Sequence, residues 1–179
     1  VPANLAPLNF CIREPGRAYQ VAVTMPNGRS LTLSSNSPIV RFPQRAWRAG
    51  MNGPGELRLV VRVQDEHGTW RELAPVCNRV GPPIDRYLVY RFIRTFYSSW
   101  QDVGVYQRDL EGFAVRPVLR GEHFQEGCVN CHTFAGFDAE RMALGVRGEQ
   151  YGNATVLAGP EGVRKIGHMW GYTAWHPGG

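Results

Sequence analysis

The chain has 179 residues, of which 43% are hydrophobic and 20% charged, so it can bury a core and is not disordered by composition. No run of 18 apolar residues occurs, which excludes a transmembrane helix within this sequence. The formal net charge of +5 comes from nineteen Arg and one Lys. These residues are scattered rather than clustered, which argues against a nucleic-acid-binding patch.

The first 80 residues predict short antiparallel strands, because apolar and polar residues alternate there. Pro26-Asn27-Gly28 predicts a hairpin turn, and residues 44–48 predict one helical turn. The strands are expected at residues 8–12, 19–23, 31–33, 57–64 and 69–73. Strands at this spacing indicate an Ig-like antiparallel β-sandwich over residues 1–80.

Pro82-Pro83 indicates a boundary, after which the pattern changes. Apolar residues then recur at helical spacing and predict an amphipathic helix, through Ile84, Tyr87, Leu88, Phe92 and Phe96. A second aromatic stretch, Tyr97, Trp100 and Tyr106, is read as core, and a Gly-rich segment begins at His123. Residues 81–179 are therefore expected to form a helical connector and a haem-binding segment, which makes the fold class α+β.

Cys128-Val129-Asn130-Cys131-His132 has the spacing of covalent haem c attachment. Cys128 and Cys131 would form thioethers with the haem vinyl groups, and His132 would bind the iron as proximal ligand. A redox dithiol also uses Cys-x-x-Cys, but it needs no following His. A zinc site needs two more nearby ligands, for which His123 is the only close candidate. The pattern therefore predicts one covalent haem c.

The sixth iron ligand must be Met, His or nothing. The candidates are Met142, His168, Met169, His123, His176 and His67. An electron-transfer cytochrome usually keeps its iron six-coordinate, so a bound sixth ligand is expected.

Cys11 and Cys77 remain as a pair once haem takes the other two cysteines. Haem c is attached outside the cytoplasm, where disulfides persist. We therefore expect a Cys11–Cys77 disulfide; its loop of roughly 65 residues would be worth about 4 kcal/mol in the chain-entropy model. The start of the chain shows no signal peptide, so we expect a periplasmic or extracellular protein whose leader has been removed.

Three segments, residues 84–91, 104–111 and 127–134, resemble a family of bacterial envelope proteins that carry a c-type haem motif ahead of a TolB-like β-propeller. The ending, residues 172–179, resembles the opening strand of the first propeller blade, so this chain covers the part before the propeller. The resemblance implies an exported protein with one covalent haem and a β-rich module preceding it.

That family often has a His in a Met-x-Leu-His-x-Arg-Gly stretch, where this chain has Gly145. If the family His is the distal ligand, this chain must recruit another. Because Met142 survives in the stretch, the resemblance ranks Met142 first as distal ligand and His168 second.

These observations predict a monohaem c-type cytochrome, an electron carrier rather than an enzyme, that acts as a subunit of a larger envelope redox complex. Its expected partners are other redox proteins or subunits, with no nucleic acid and no membrane span of its own. One alternative is a structural subunit in which the haem is mainly architectural. Another is a peroxidase-like haem enzyme with an open distal site, in which His123 or Arg141 would act as acid or base.

Overall fold

The computed structural model describes residues 1–93, 103–125 and 127–178, and the chain forms two compact units. The first unit holds Val1–Arg86 together with Asp109–Phe113. The second holds Tyr87–Arg108 together with Ala114–Gly179. Within the described ranges, no helix is long and apolar enough to cross a membrane.

The first unit is built on a five-stranded antiparallel sheet. Its strands are β2 (Ala18–Thr24), β3 (Ser30–Ser35), β5 (Gly55–Gln64), β6 (Trp70–Glu72) and β7 (Val76–Val80). They are ordered β3-β2-β5-β6, and β7 also pairs with β5. Two short strands, β1 (Phe10–Cys11) and β4 (Ile39–Val40), pair separately, and helix α1 (Gln44–Gly50) follows β4.

Strand alternation buries one face of this sheet. Val21 and Val23 of β2 and Leu57 of β5 are at most 1% exposed. Their immediate neighbours along each strand are partly or fully exposed. Helix α1 packs against the same core through Trp47, whose indole N–H donates a hydrogen bond to the Leu5 carbonyl at 2.9 Å. Each fully buried aliphatic side chain stabilises the unit by about 1.5–3 kcal/mol.

The second unit contains two further antiparallel sheets. One has the order β10-β9-β8, made from β8 (Tyr87–Phe92), β9 (Gly104–Asp109) and β10 (Val115–Arg120). The other is a four-stranded meander of β11 (Cys128–Phe134), β12 (Met142–Arg147), β13 (Ala154–Gly159) and β14 (Gly162–Ile166). Single 3-10 turns occur at Gly121–Phe124 and Ala135–Phe137.

A small second core joins the strands of this unit. Its buried members come from β9, β11 and β12: Val105, Val129, Leu144 and Val146. Val89 of β8 and Val156 of β13 pack against it from partly buried positions. Val129, the second residue of the motif, is 0% exposed and lies in this core, whereas Cys128 and Asn130 on either side of it are half-buried.

The predicted α+β fold class is wrong, because the described chain is mostly β with four sheets and α1 as its one α-helix. The segment predicted as a helical connector forms strand β8 instead, and the haem motif lies in β11 rather than in a helical segment. Tyr87–Phe92 is rich in aromatic and β-branched residues, which pack well on a sheet surface. A short apolar run is also compatible with both the helical period of about 3.6 residues and the strand period of about 2. Phe96, Tyr97 and Trp100 lie outside the described residues.

Candidate functional site

The haem motif occupies β11, an edge strand of the four-stranded sheet. Its antiparallel register with β12 pairs Cys128 with Arg147 and Asn130 with Gly145. Between them the buried Val129 pairs with Val146. Because side chains alternate along a strand, Cys128 and Asn130 share one face of the hairpin, and Val129 turns to the core.

A β-bulge interrupts this register inside the motif. Cys131 and His132 together lie opposite one residue, Leu144, because the pairing shifts between Asn130 and Thr133. Cys131 adopts a φ of 55°, a left-handed conformation that costs a side-chain-bearing residue about 1–2 kcal/mol. In a regular strand, a spacing of three would send the two cysteine side chains to opposite faces. The bulge breaks that alternation between Cys128 and Cys131.

Asn130, the residue before the bulge, stabilises the bend with its side chain. Its Oδ1 accepts a hydrogen bond from the Cys131 backbone N–H at 2.6 Å and a second one from the Arg91 guanidinium. From the sequence, Asn130 is expected only to space the two cysteines. Its residue type is the signal for the additional role, since Asn readily bonds to nearby backbone and supports turns.

Both thiols of the motif are unbonded and half-buried. Burial raises the pKa of Cys128, while the nearby charges of Arg147 and Arg91 lower it in part. The Cys131 charge makes a smaller contribution to the raised pKa of Cys128.

The His132 imidazole is held as a neutral ring. Desolvation by burial lowers its pKa, and the Arg91 charge acts in the same direction, whereas a hydrogen bond to the Val89 main chain raises it. A neutral imidazole keeps a nitrogen lone pair that can bind a metal.

An open groove of about 680 Å³ lies beside Cys128. Cys128 and Arg147 line it, together with Gly127, Gly148 and Gly152. A Cβ on Gly127 would lie 2.6 Å from the Arg147 carbonyl oxygen, so this glycine permits β11 and β12 to approach closely at the groove. Of the five residues of the motif, Cys128 lines this groove.

The structure separates the two residues ranked highest as distal ligands. Met142 lies on the same face of β12 as Leu144 and Val146, and it packs against the second core. His168 is exposed after the end of β14. Met169 is half-buried, and its Sδ accepts a hydrogen bond from the Arg147 Nε–H at 3.0 Å.

The other histidines considered as ligands have different surroundings. The His123 ring contacts the Arg120 main chain, and the His176 ring accepts the Gly178 N–H. His67 belongs to the first unit and lies 3.6 Å from the Glu66 carboxylate. Within residues 1–93, 103–125 and 127–178, no three His, Cys, Asp or Glu side chains form a group that could hold a metal ion.

Cys11 and Cys77 are both exposed free thiols in the first unit. Cys11 ends β1, and Cys77 lies within β7, opposite Arg58. A hydrogen bond to Glu56 raises the pKa of Cys77, with smaller contributions from desolvation and from the Glu56 charge. The Cys11–Cys77 disulfide stays a prediction.

Comparison with protein-family models, with curated proteins and with solved structures found no match to this chain.

Proposed function

We propose that this chain is a monohaem c-type cytochrome, an electron-transfer module of a larger bacterial envelope redox complex. The observation that carries the proposal is the Cys128-x-x-Cys131-His132 motif, which lies on the single strand β11. A dithiol redox site would not need the adjacent histidine.

The chain supplies the attachment and one axial ligand. Cys128 and Cys131 would hold the haem through two thioethers, each the product of net S–H addition across a vinyl group, with sulfur on the inner carbon and hydrogen on the outer one. This addition would need no oxidant, and the raised pKa of Cys128 favours its protonated thiol. When bound, the haem supplies a one-electron ferric–ferrous couple.

His132 would bind the iron through an imidazole nitrogen. Its lowered pKa favours the neutral ring, so no proton has to leave before the metal binds.

The partners implied are redox proteins of the envelope. Haem c is attached outside the cytoplasm, which agrees with the predicted periplasmic or extracellular location. The resemblance to the propeller-containing envelope family supports the same location. The first unit, with its own sheet and core, would then serve as a docking module.

A second candidate is an architectural haem, and the size of the second core favours it. The first core contains thirteen buried residues, whereas four form the second core among the described residues. A small core gains much from any additional buried apolar surface, so haem could act mainly as a staple for β11 and β12.

Mass and optical spectra test the proposal on the full chain expressed with a haem-attachment system in a bacterial periplasm. We expect one covalently bound haem, a Soret band and a reversible ferric–ferrous change. The Cys128→Ala/Cys131→Ala double variant should lose the added mass, and Cys11→Ser/Cys77→Ser should keep it. A chain that weighs no more than its amino acids contradicts the proposal, and an irreducible haem favours the architectural role.

A further inference from the structure

We infer that the free edge of β3 and the groove beside it form a docking site for an extended segment of a partner polypeptide. The segment would carry apolar side chains at alternate positions and a carboxylate at one end. The inference concerns the first unit and does not depend on haem in the second. It gives the docking role proposed for the first unit a defined place.

Strand β3 is an edge strand without the features that normally prevent edge pairing. It ends the five-stranded sheet, and all six of its residues pair with β2 without a register shift. Its sequence, Ser-Leu-Thr-Leu-Ser-Ser, contains neither a charged residue nor a proline. Proteins usually block exposed edges with charges, prolines or bulges, because the unpaired main-chain N–H and C=O groups can pair with another chain.

The other outer strands of the described sheets each have a feature that limits pairing. Charged side chains occur on β6, β7, β8 and β14, and register shifts interrupt β10 and β11. Strands β1 and β4 have only two residues each. Within the described ranges, β3 is therefore the edge that is open to an additional strand.

A groove of about 420 Å³ lies beside this edge, lined by residues of β2, β3 and β4. Strand β4 pairs with β1 rather than with β3, so the groove reaches Val21 and Val40 of the first core. Leu33 and Ile39 also line it. Ile39 is 53% exposed, so an apolar side chain that enters the groove would cover it.

The edge and the groove together favour an extended chain over a small molecule. Leu31 and Leu33 pair with the buried Val23 and Val21, so they lie on the core face of the sheet. A strand added at β3 would place every second side chain on that same face, next to the groove. In this mode of recognition, main-chain hydrogen bonds provide affinity and the groove selects the alternate side chains.

Charge distinguishes a partner polypeptide from a second copy of this chain. Arg41 lines the groove, is exposed, and takes part in no ion pair among the described residues. A carboxylate on the added segment would pair with its guanidinium. A second copy would instead bring residues 29–41, which have an arginine at each end and no acid between them. Pairing between copies would therefore bring like charges together.

The test selects binders from a phage-displayed library of random dodecapeptides on the immobilised full chain, with Ile39→Lys as counter-selection. Enriched peptides should have alternating apolar residues and an Asp or Glu. As synthetic peptides they should bind Ile39→Lys about tenfold more weakly than wild type. The matched control Val76→Lys, at a residue 55% exposed on β7, should bind as wild type does.

The charge contact and the strand pairing are measured with the same peptides. Arg41→Glu should weaken binding, whereas Arg45→Glu, exposed on α1, should not. Hydrogen exchange should show that bound peptide protects the amides of β3.

Three results would overturn the inference: no enrichment over Ile39→Lys, binding that leaves the β3 amides unprotected, or protection that rises with protein concentration alone, which identifies a second copy as the occupant. Circular dichroism first confirms that Ile39→Lys folds; if it does not, Arg41→Glu replaces it as counter-selection. The haem-free chain gives the same readouts, so failure of the proposed function, seen by mass, is distinguishable from failure here.

Discussion

Replacement of Asn130 by Ala should destabilise the bulge that lies between the two cysteines of the motif. The substitution removes the acceptor for the Cys131 N–H at 2.6 Å and for the Arg91 guanidinium. A net hydrogen bond contributes about 1 kcal/mol, and the partly exposed Arg91 contact about the same. The combined loss is about 2 kcal/mol, or about thirtyfold in the local unfolding equilibrium.

Hydrogen exchange of the β11 and β12 amides in the haem-free chain measures this loss in the second unit by itself. Asn130→Asp keeps the acceptor oxygen and should stay within about 0.5 kcal/mol of wild type. Asn36→Ala, at an exposed position of the first unit, should leave these amides unaffected. Equal protection in Asn130→Ala and wild type would refute the role given to this side chain. In the haem-loaded form, Asn130→Ala should also lower the fraction of chains with both thioethers.

Three further predictions concern the same hairpin and the first unit. Because the folded pKa of His132 is lowered below 6.5, the unfolded chain binds its proton first, so the haem-free chain should lose stability as pH falls below about 6.5. His132→Gln should flatten this dependence in urea titrations at pH 7.5 and 5, and an unchanged slope would contradict it. Gly127→Ala should destabilise the second unit by about 1–3 kcal/mol, because its Cβ would lie 2.6 Å from the Arg147 carbonyl oxygen. As a control, Gly167→Ala places its Cβ in open space and should leave stability unchanged. Thermal melting curves of the two variants measure the difference. Exported protein should yield a cross-linked Cys11–Cys77 peptide on non-reducing digestion, and two alkylated thiols would disprove that pair.

Local pattern predicted β2 and β5 of the first unit because each has one solvent-exposed and one buried face, whereas β6 is exposed throughout. In β5, Leu57, Leu59 and Val63 are buried while Glu56, Arg58 and Arg62 are exposed, as the alternation predicts. The hairpin at Pro26-Asn27-Gly28 forms with Gly28 at a φ of 81°, and the expected helical turn at residues 44–48 is α1. Period two and turn chemistry are local properties, so no distant partner is needed to read them.

The helix predicted after Pro83 is wrong over Tyr87–Phe92, where the local pattern is ambiguous. Tyr87–Phe92 fits helical spacing, yet it pairs with β9 as a strand. Its side chains are partly or fully exposed, so burial does not impose a clear period on the sequence. Only pairing with a neighbouring strand decides between helix and strand for such a run.

The sequence by itself determined the chemistry of the site, because two thiols and an imidazole at this spacing are a property of five consecutive residues. Tertiary structure decided their surroundings: the bulge at Cys131, the Val89 partner of His132 and the arrival of Met169 over Gly145. Val89 lies on β8, and Met169 follows β14, so both are distant in sequence from β11 and β12. No local spacing encodes which of two methionines reaches a shared face, since sheet register, set by long-range pairing, places each side chain.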